Sequence, residues 1–169
     1  MPDIFEVDAS GNDIFDRGFS IAIVYNNKKR YGFRFPKHLQ DQIIYNNRNN
    51  KYCIDNPKSL KPRVYSAIVI LLLKRIALSE RITHNYKFLI CEDLYGHFNQ
   101  ISDILIENLK KEFPTLNKRD HISKCRHSKD SLIQKTAHNL YKGIIDGISA
   151  YNFDLSEIEE ILSKCKVRI

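Results

Sequence analysis

DIFEVDASGND, residues 3–13, runs into RGFSIAIVYNNKKRYGFRFP, residues 17–36, and together these segments read as three strands in succession. In residues 3–9, Phe5, Val7 and Ala9 fall on one face of an extended chain. Ile4, Glu6 and Asp8 fall on the other, as the two-residue period of a strand requires. Gly11-Asn12-Asp13 supplies a turn. Residues 17–26 carry a near-continuous apolar run, and Asn27-Lys28 is polar turn chemistry. Tyr31, Phe33 and Phe35 share one face of a third strand that Pro36 stops. Short turns between three strands predict an antiparallel meander.

Beyond the meander, residues 45–58 are Asn-rich and poor in apolar side chains, and they read as a loop. Pro62 suits the first turn of a helix. Val64, Ala67, Ile68, Leu71, Leu72, Leu78 and Ile82 then recur at helical spacing, broadly enough for a buried helix over 62–82. YKFLIC, residues 86–91, is short, apolar and followed by Glu92-Asp93, which favours a buried strand. Phe98, Ile101, Ile104, Leu105, Leu109 and Phe113 mark an amphipathic helix ended by Pro114. Residues 119–126 are weakly strand-like. Ser128 is a candidate N-cap for a helix over 129–142, with Leu132, Ile133, Thr136, Ala137, Leu140 and Tyr141 in one stripe. A last helix begins near Asp154 or Ser156, where Asp154 with Glu157, or Ser156 with Glu159, would form a capping box.

The expected order is therefore β-β-β-α-β-α-β-α plus a C-terminal helix. That is an α/β class with a mixed five-stranded sheet flanked by helices, in a single domain over 1–169. The chain has 169 residues, 43% of them hydrophobic and 28% charged, which suits one globular domain and excludes a disordered chain or a disulfide-held mini-protein. The longest wholly apolar run, Ala67 to Leu73, is far short of the roughly 20 residues of a membrane span. MPDIFEVDAS lacks the basic and apolar regions of a signal peptide. The Cys residues at 53, 91, 125 and 165 form no C-x-x-C. Scattered thiols without a secretion signal lead to the expectation of a cytoplasmic protein that does not enter a membrane.

Lys and Arg number 27 against 20 Asp and Glu, a formal net charge of +7. The excess concentrates in two segments. Arg48, Lys51, Lys58, Lys61 and Arg63 crowd the Asn-rich region, with Tyr45 and Tyr52 between them as candidate base-stacking rings. Lys118, Arg119, Lys124, Arg126, Lys129 and Lys135 crowd the second. Such segments suit a phosphate backbone, and equally a solvated basic surface. Arg48, Lys51, Lys61, Arg63, Lys124, Arg126 and Lys129 are the candidate nucleic-acid contacts. There is no Gly-rich phosphate loop, no G-x-S-x-G and no H-E-x-x-H. Cys125 and His127 with His121 match no standard zinc-finger spacing.

If the fourth strand docks beside the first, Asp8 and Glu92-Asp93 come from neighbouring strands. Asp130, in the first turn of the later helix, would point at the same edge. Crowded carboxylates raise one another's pKa unless a cation relieves them, and hard oxygen ligands suit Mg²⁺ or Mn²⁺. Two such ions are a standard means of cutting phosphodiesters. Each acid also has an ordinary use: Asp8 for starting a turn, Asp130 for favouring a helix dipole.

The element order over residues 3–145 resembles the ribonuclease H-like superfamily. VDASGN resembles its first-strand Asp segment, LICED its fourth strand ending in an acid, and HSKD, His127 to Asp130, the H-x-x-D variant of Holliday-junction resolvases. The resemblance implies a metal-dependent nuclease or resolvase-like hydrolase. Its catalytic residues would be Asp8, Glu92, Asp93, Asp130 and His127. Asp8, Asp93 (or Glu92) and Asp130 would be the metal ligands, and His127 would help hold a metal or order the scissile phosphate. It also implies a nucleic-acid partner and assembly as a homodimer. Ribonuclease H proper takes a further Glu from its first helix, whereas residues 56–79 here hold no acid. That departure favours the resolvase-like branch. The fold also hosts proteins without activity, so a non-catalytic module that binds nucleic acid or a protein is the alternative.

Overall fold

The structure, a computed structural model, describes residues 1–54, 56–91 and 97–164. Strands β1 (Asp3–Ser10), β2 (Ser20–Tyr25) and β3 (Lys29–Arg34) form the expected meander. Helix α1 (Lys37–Arg48) and a 3₁₀ turn (Pro57–Ser59) lead to α2 (Leu60–Ser79). Then come β4 (Tyr86–Cys91), α3 (Phe98–Leu109), the short α4 (Lys118–His121), β5 (Ile122–Cys125), α5 (Leu132–Tyr141), β6 (Ile148–Ala150) and α6 (Leu155–Lys164).

The sheet has six strands in the order β5-β4-β1-β2-β3-β6. β1 pairs antiparallel with β2, matching Asp8 to Ala22, and β2 pairs antiparallel with β3. β1 pairs parallel with β4, matching Val7 to Ile90, and β4 pairs parallel with β5. The first strand therefore stands inside the sheet, with the meander on one side and the crossover strands on the other. Its alternation sends Phe5 and Val7 into the larger core, with Ile68, Leu72, Leu105 and Leu162. A smaller core of Ala22, Val24, Ile133, Ala137, Leu140 and Ile148 lies under α5. Both faces of the sheet are covered, which is why every residue of β2 is buried. None of the described helices is long and apolar enough to cross a membrane.

Four expectations need correction. The sheet has six strands instead of five, because Ile148–Ala150 adds to β3 in parallel. Three residues with only Ile148 buried are too few to register as alternation. Second, α1 occupies 37–48 and runs into the region read as loop. It buries Leu39, Gln40, Ile43 and Asn46, so half of its inner face is amide. Gln40 Nε2 donates to the carbonyls of Ile14 at 2.9 Å and Asp16 at 2.8 Å, a tertiary anchor that apolar counting misses. Third, α5 begins at Leu132, capped by Ser131, whose hydroxyl accepts from the Gln134 N–H at 3.3 Å. Asp130 thus precedes the helix. Fourth, residues 118–121 form a helical turn ahead of a shorter β5. At α6 the structure selects Asp154 over Ser156 as the cap. Asp154 N–H donates to Glu157, and Glu157 N–H donates to Asp154, both at 2.9 Å.

Candidate functional site at the carboxyl end of the first strand

Asp8 is 4% exposed although it carries a carboxylate. The Ala9 N–H donates to its Oδ1 at 2.8 Å, which helps hold the side chain in one orientation. It opens on a cleft of about 420 Å³ lined by Asp8, Ala9, Ser10, Lys129, Gln134, Lys135 and His138. Lys129 stands ahead of α5, and the last three come from the helix itself. Gln134 and His138 are four residues apart and Lys135 and His138 three, so they share a helix face. The opposite stripe, Ile133, Ala137 and Leu140, packs α5 onto the sheet. Packing of one stripe therefore aims the other at Asp8. Among the described residues lining this cleft Asp8 is the only carboxylate and two lysines accompany it, so the described wall suits an anionic ligand.

Glu6 projects from the same face of β1, two residues before Asp8. Its Oε2 lies 3.3 Å from His127 Nδ1. His127 Nε2 in turn lies 3.1 Å from Cys125 Sγ. The His127 side chain is 4% exposed, so the ring is enclosed by these two partners. Burial, with Glu6 and Asp8 adding negative charge, pushes the Cys125 thiol up to about 11. It is therefore protonated at neutral pH. The protonated thiol can donate to the ring, and Glu6 Oε2 lies within reach of Nδ1 as an acceptor.

Of the other expected site residues, Asp130 is exposed in the turn before α5, and Glu92 and Asp93 lie outside the described residues. Among the described residues no three His, Cys, Asp or Glu side chains gather as a metal centre would. Lys129 reaches the cleft. Lys124 sits over the Phe98 ring at 5.4 Å, and Arg126 and Arg48 are exposed. Lys51 pairs with Glu159 at 2.9 Å and Lys61 pairs with Asp13. Arg63 is buried at 3% exposure. Tyr52 is buried as well, beside Glu159, and its phenol is pushed up by burial first and that carboxylate second. Tyr45 is 63% exposed. Sequence reasoning did not single out Glu6 or Gln134. The signals were there, in an acid at i−2 from Asp8 on one strand face and in an i,i+4 spacing from Gln134 to His138.

No protein family, curated protein or solved structure matches this chain.

Proposed function

We propose that this chain is a ribonuclease H-like phosphodiester hydrolase acting on nucleic acid, with its chemistry centred on Asp8. The observation that carries the reading is a buried carboxylate at the carboxyl end of an internal strand, facing Lys129 and Lys135 across a cleft. Ligands gather outside the carboxyl ends of such strands, where neighbouring connections leave in opposite directions. A meander on one side of β1 and two parallel strands on the other support the resemblance read from the element order.

In this reading Lys129 and Lys135 hold backbone phosphates as point charges. His138 and Gln134 supply hydrogen-bonding groups on the same wall. Asp8 is a hard oxygen donor of the kind Mg²⁺ or Mn²⁺ takes, and with Asp93 (or Glu92) and Asp130 it would hold the ion. When bound, the ion supplies an activated water and neutralises charge on the phosphate. The Ala9 N–H donates to Asp8 Oδ1 and limits how the carboxylate turns.

The test is cleavage of branched DNA, single-stranded DNA and an RNA–DNA hybrid with Mn²⁺, wild type against Asp8→Asn. Loss of about 100-fold or more in the variant is expected. Equal activity in both proteins would overturn the reading. A second reading is a non-catalytic module of the same fold that binds nucleic acid or a protein. Two lysines lining the cleft serve phosphate binding without any ion, which favours it. Binding with a steep salt slope and no cleavage would establish it.

A further inference from the structure

Glu6, His127 and Cys125 form a chain of contacts that ends where the cleft wall begins. Cys125 is the last residue of β5, and His127 follows it by two positions. The turn after His127 is itself closed. Ser131 donates from its backbone N–H at 3.0 Å and its hydroxyl at 2.7 Å to the Ser128 carbonyl. The Ser131 hydroxyl then accepts from Gln134 N–H at the head of α5. From Glu6 to Gln134 the sheet and the helix are joined by the Glu6–His127 contact, the chain from His127 to Ser128, and the hydrogen bonds of Ser131. Lys129 stands inside that turn and lines the Asp8 cleft.

We propose that Glu6 is a positioning residue: through His127 it fixes the turn 128–131 so that Lys129 faces the Asp8 cleft and holds a backbone phosphate. This rests on the reading of the cleft as a nucleic-acid site. His127 is then an internal strut and does not touch substrate, since its ring is 4% exposed, with Glu6 3.3 Å from Nδ1 and Cys125 Sγ 3.1 Å from Nε2 and 3.6 Å from Nδ1. Glu6 Oε2 sits 3.3 Å from His127 Nδ1, within reach as an acceptor, so a neutral acceptor of the same shape should replace it. An alanine cannot.

The experiment measures binding of a labelled single-stranded DNA oligonucleotide across a salt series, with no divalent ion. Lys129→Ala should weaken binding about fivefold and lower the salt slope by about one. Glu6→Ala should reproduce both effects, Glu6→Gln should bind as wild type, and Glu6→Ala with Lys129→Ala should be no weaker than either alone. His127→Gln is a second route to the same lesion, and a retained melting transition in either variant shows that the fold survives. Wild-type binding by Glu6→Ala, or losses that multiply in the double variant, would overturn the inference while leaving the cleft reading intact. Wild-type binding by Lys129→Ala would remove the cleft reading and the inference together.

Discussion

Leu140 of α5 lies directly over Gly32 of β3. A Cβ on Gly32 would stand 2.1 Å from Leu140 Cδ1 and 3.2 Å from the Ile21 carbonyl oxygen. The close approach lets α5 sit low on the sheet, and the same helix carries Gln134, Lys135 and His138 to the cleft. Gly32→Ala forces the leucine or the helix to move. It should cost about 1–3 kcal/mol, seen as a melting temperature lower by roughly 2–10 °C. It should also weaken ligand binding at the cleft, because the helix that lifts is the wall.

Asp3 anchors the start of β1 and sets an acid limit on stability. Its carboxylate accepts from Tyr25 Oη at 3.0 Å, Asn26 Nδ2 at 2.9 Å, and Thr83 N–H and Oγ1 at 2.7 and 2.9 Å. Burial pushes its pKa up, but these hydrogen bonds together outweigh burial and the net shift is downward. The folded value therefore lies below the unfolded one, so the stabilisation is complete above about pH 4 and is lost as pH falls through the folded value. Asp3→Asn should cost about 1–3 kcal/mol at pH 7. In denaturant titrations the gap between mutant and wild type should narrow as pH falls below about 4.

The meander, α2, β4, α3 and α5 were legible because each buries a continuous apolar face whose period shows in the sequence. α1 was not, since Gln40 and Asn46 fill buried positions that hydrophobic counting scores as polar. Their partners, the Ile14 and Asp16 carbonyls and Glu159, are 26, 24 and 113 residues away. β6 was hidden by its length. At the site, Asp8 was readable from its place at the end of an apolar strand. Glu6 was not, because only the return of residues 125–127 over β1 gives it a partner. Arg63 read as a surface cation from its charge, and only the packing around α2 reveals it as buried.

α6 docks through Ile158, Ile161 and Leu162 in the core, through Glu157 on Arg75 at 3.2 Å, and through Glu159. Glu159 accepts from Lys51 at 2.9 Å and from Asn46 Nδ2 at 3.2 Å. Its side chain is 12% exposed against 55% for Lys51. Glu159→Ala should leave the buried Asn46 amide without this acceptor and cost about 1–3 kcal/mol. Lys51→Ala should cost about 1 kcal/mol or less. Chemical denaturation of the two variants side by side checks the ranking.

Thiol labelling should resolve three environments among Cys53, Cys91 and Cys125. Cys53 is exposed and should react first with a disulfide reagent at pH 8, and Cys53→Ser should remove that phase. Cys91 is buried and should stay unlabelled until the fold opens. Cys125 should react slowly, with a rate that climbs toward pH 11 as its thiol ionises. Peptide mapping after timed labelling reads all three.

The central claim is that Asp8 is the anchor of a nucleic-acid hydrolase site, and an Mn²⁺-soaked crystal tests it most directly. An anomalous peak is expected within about 2.0–2.4 Å of an Asp8 carboxylate oxygen, absent from Asp8→Asn crystals soaked in the same way. Manganese bound elsewhere, with the Asp8 carboxylate left unliganded in the wild-type crystal, would contradict it.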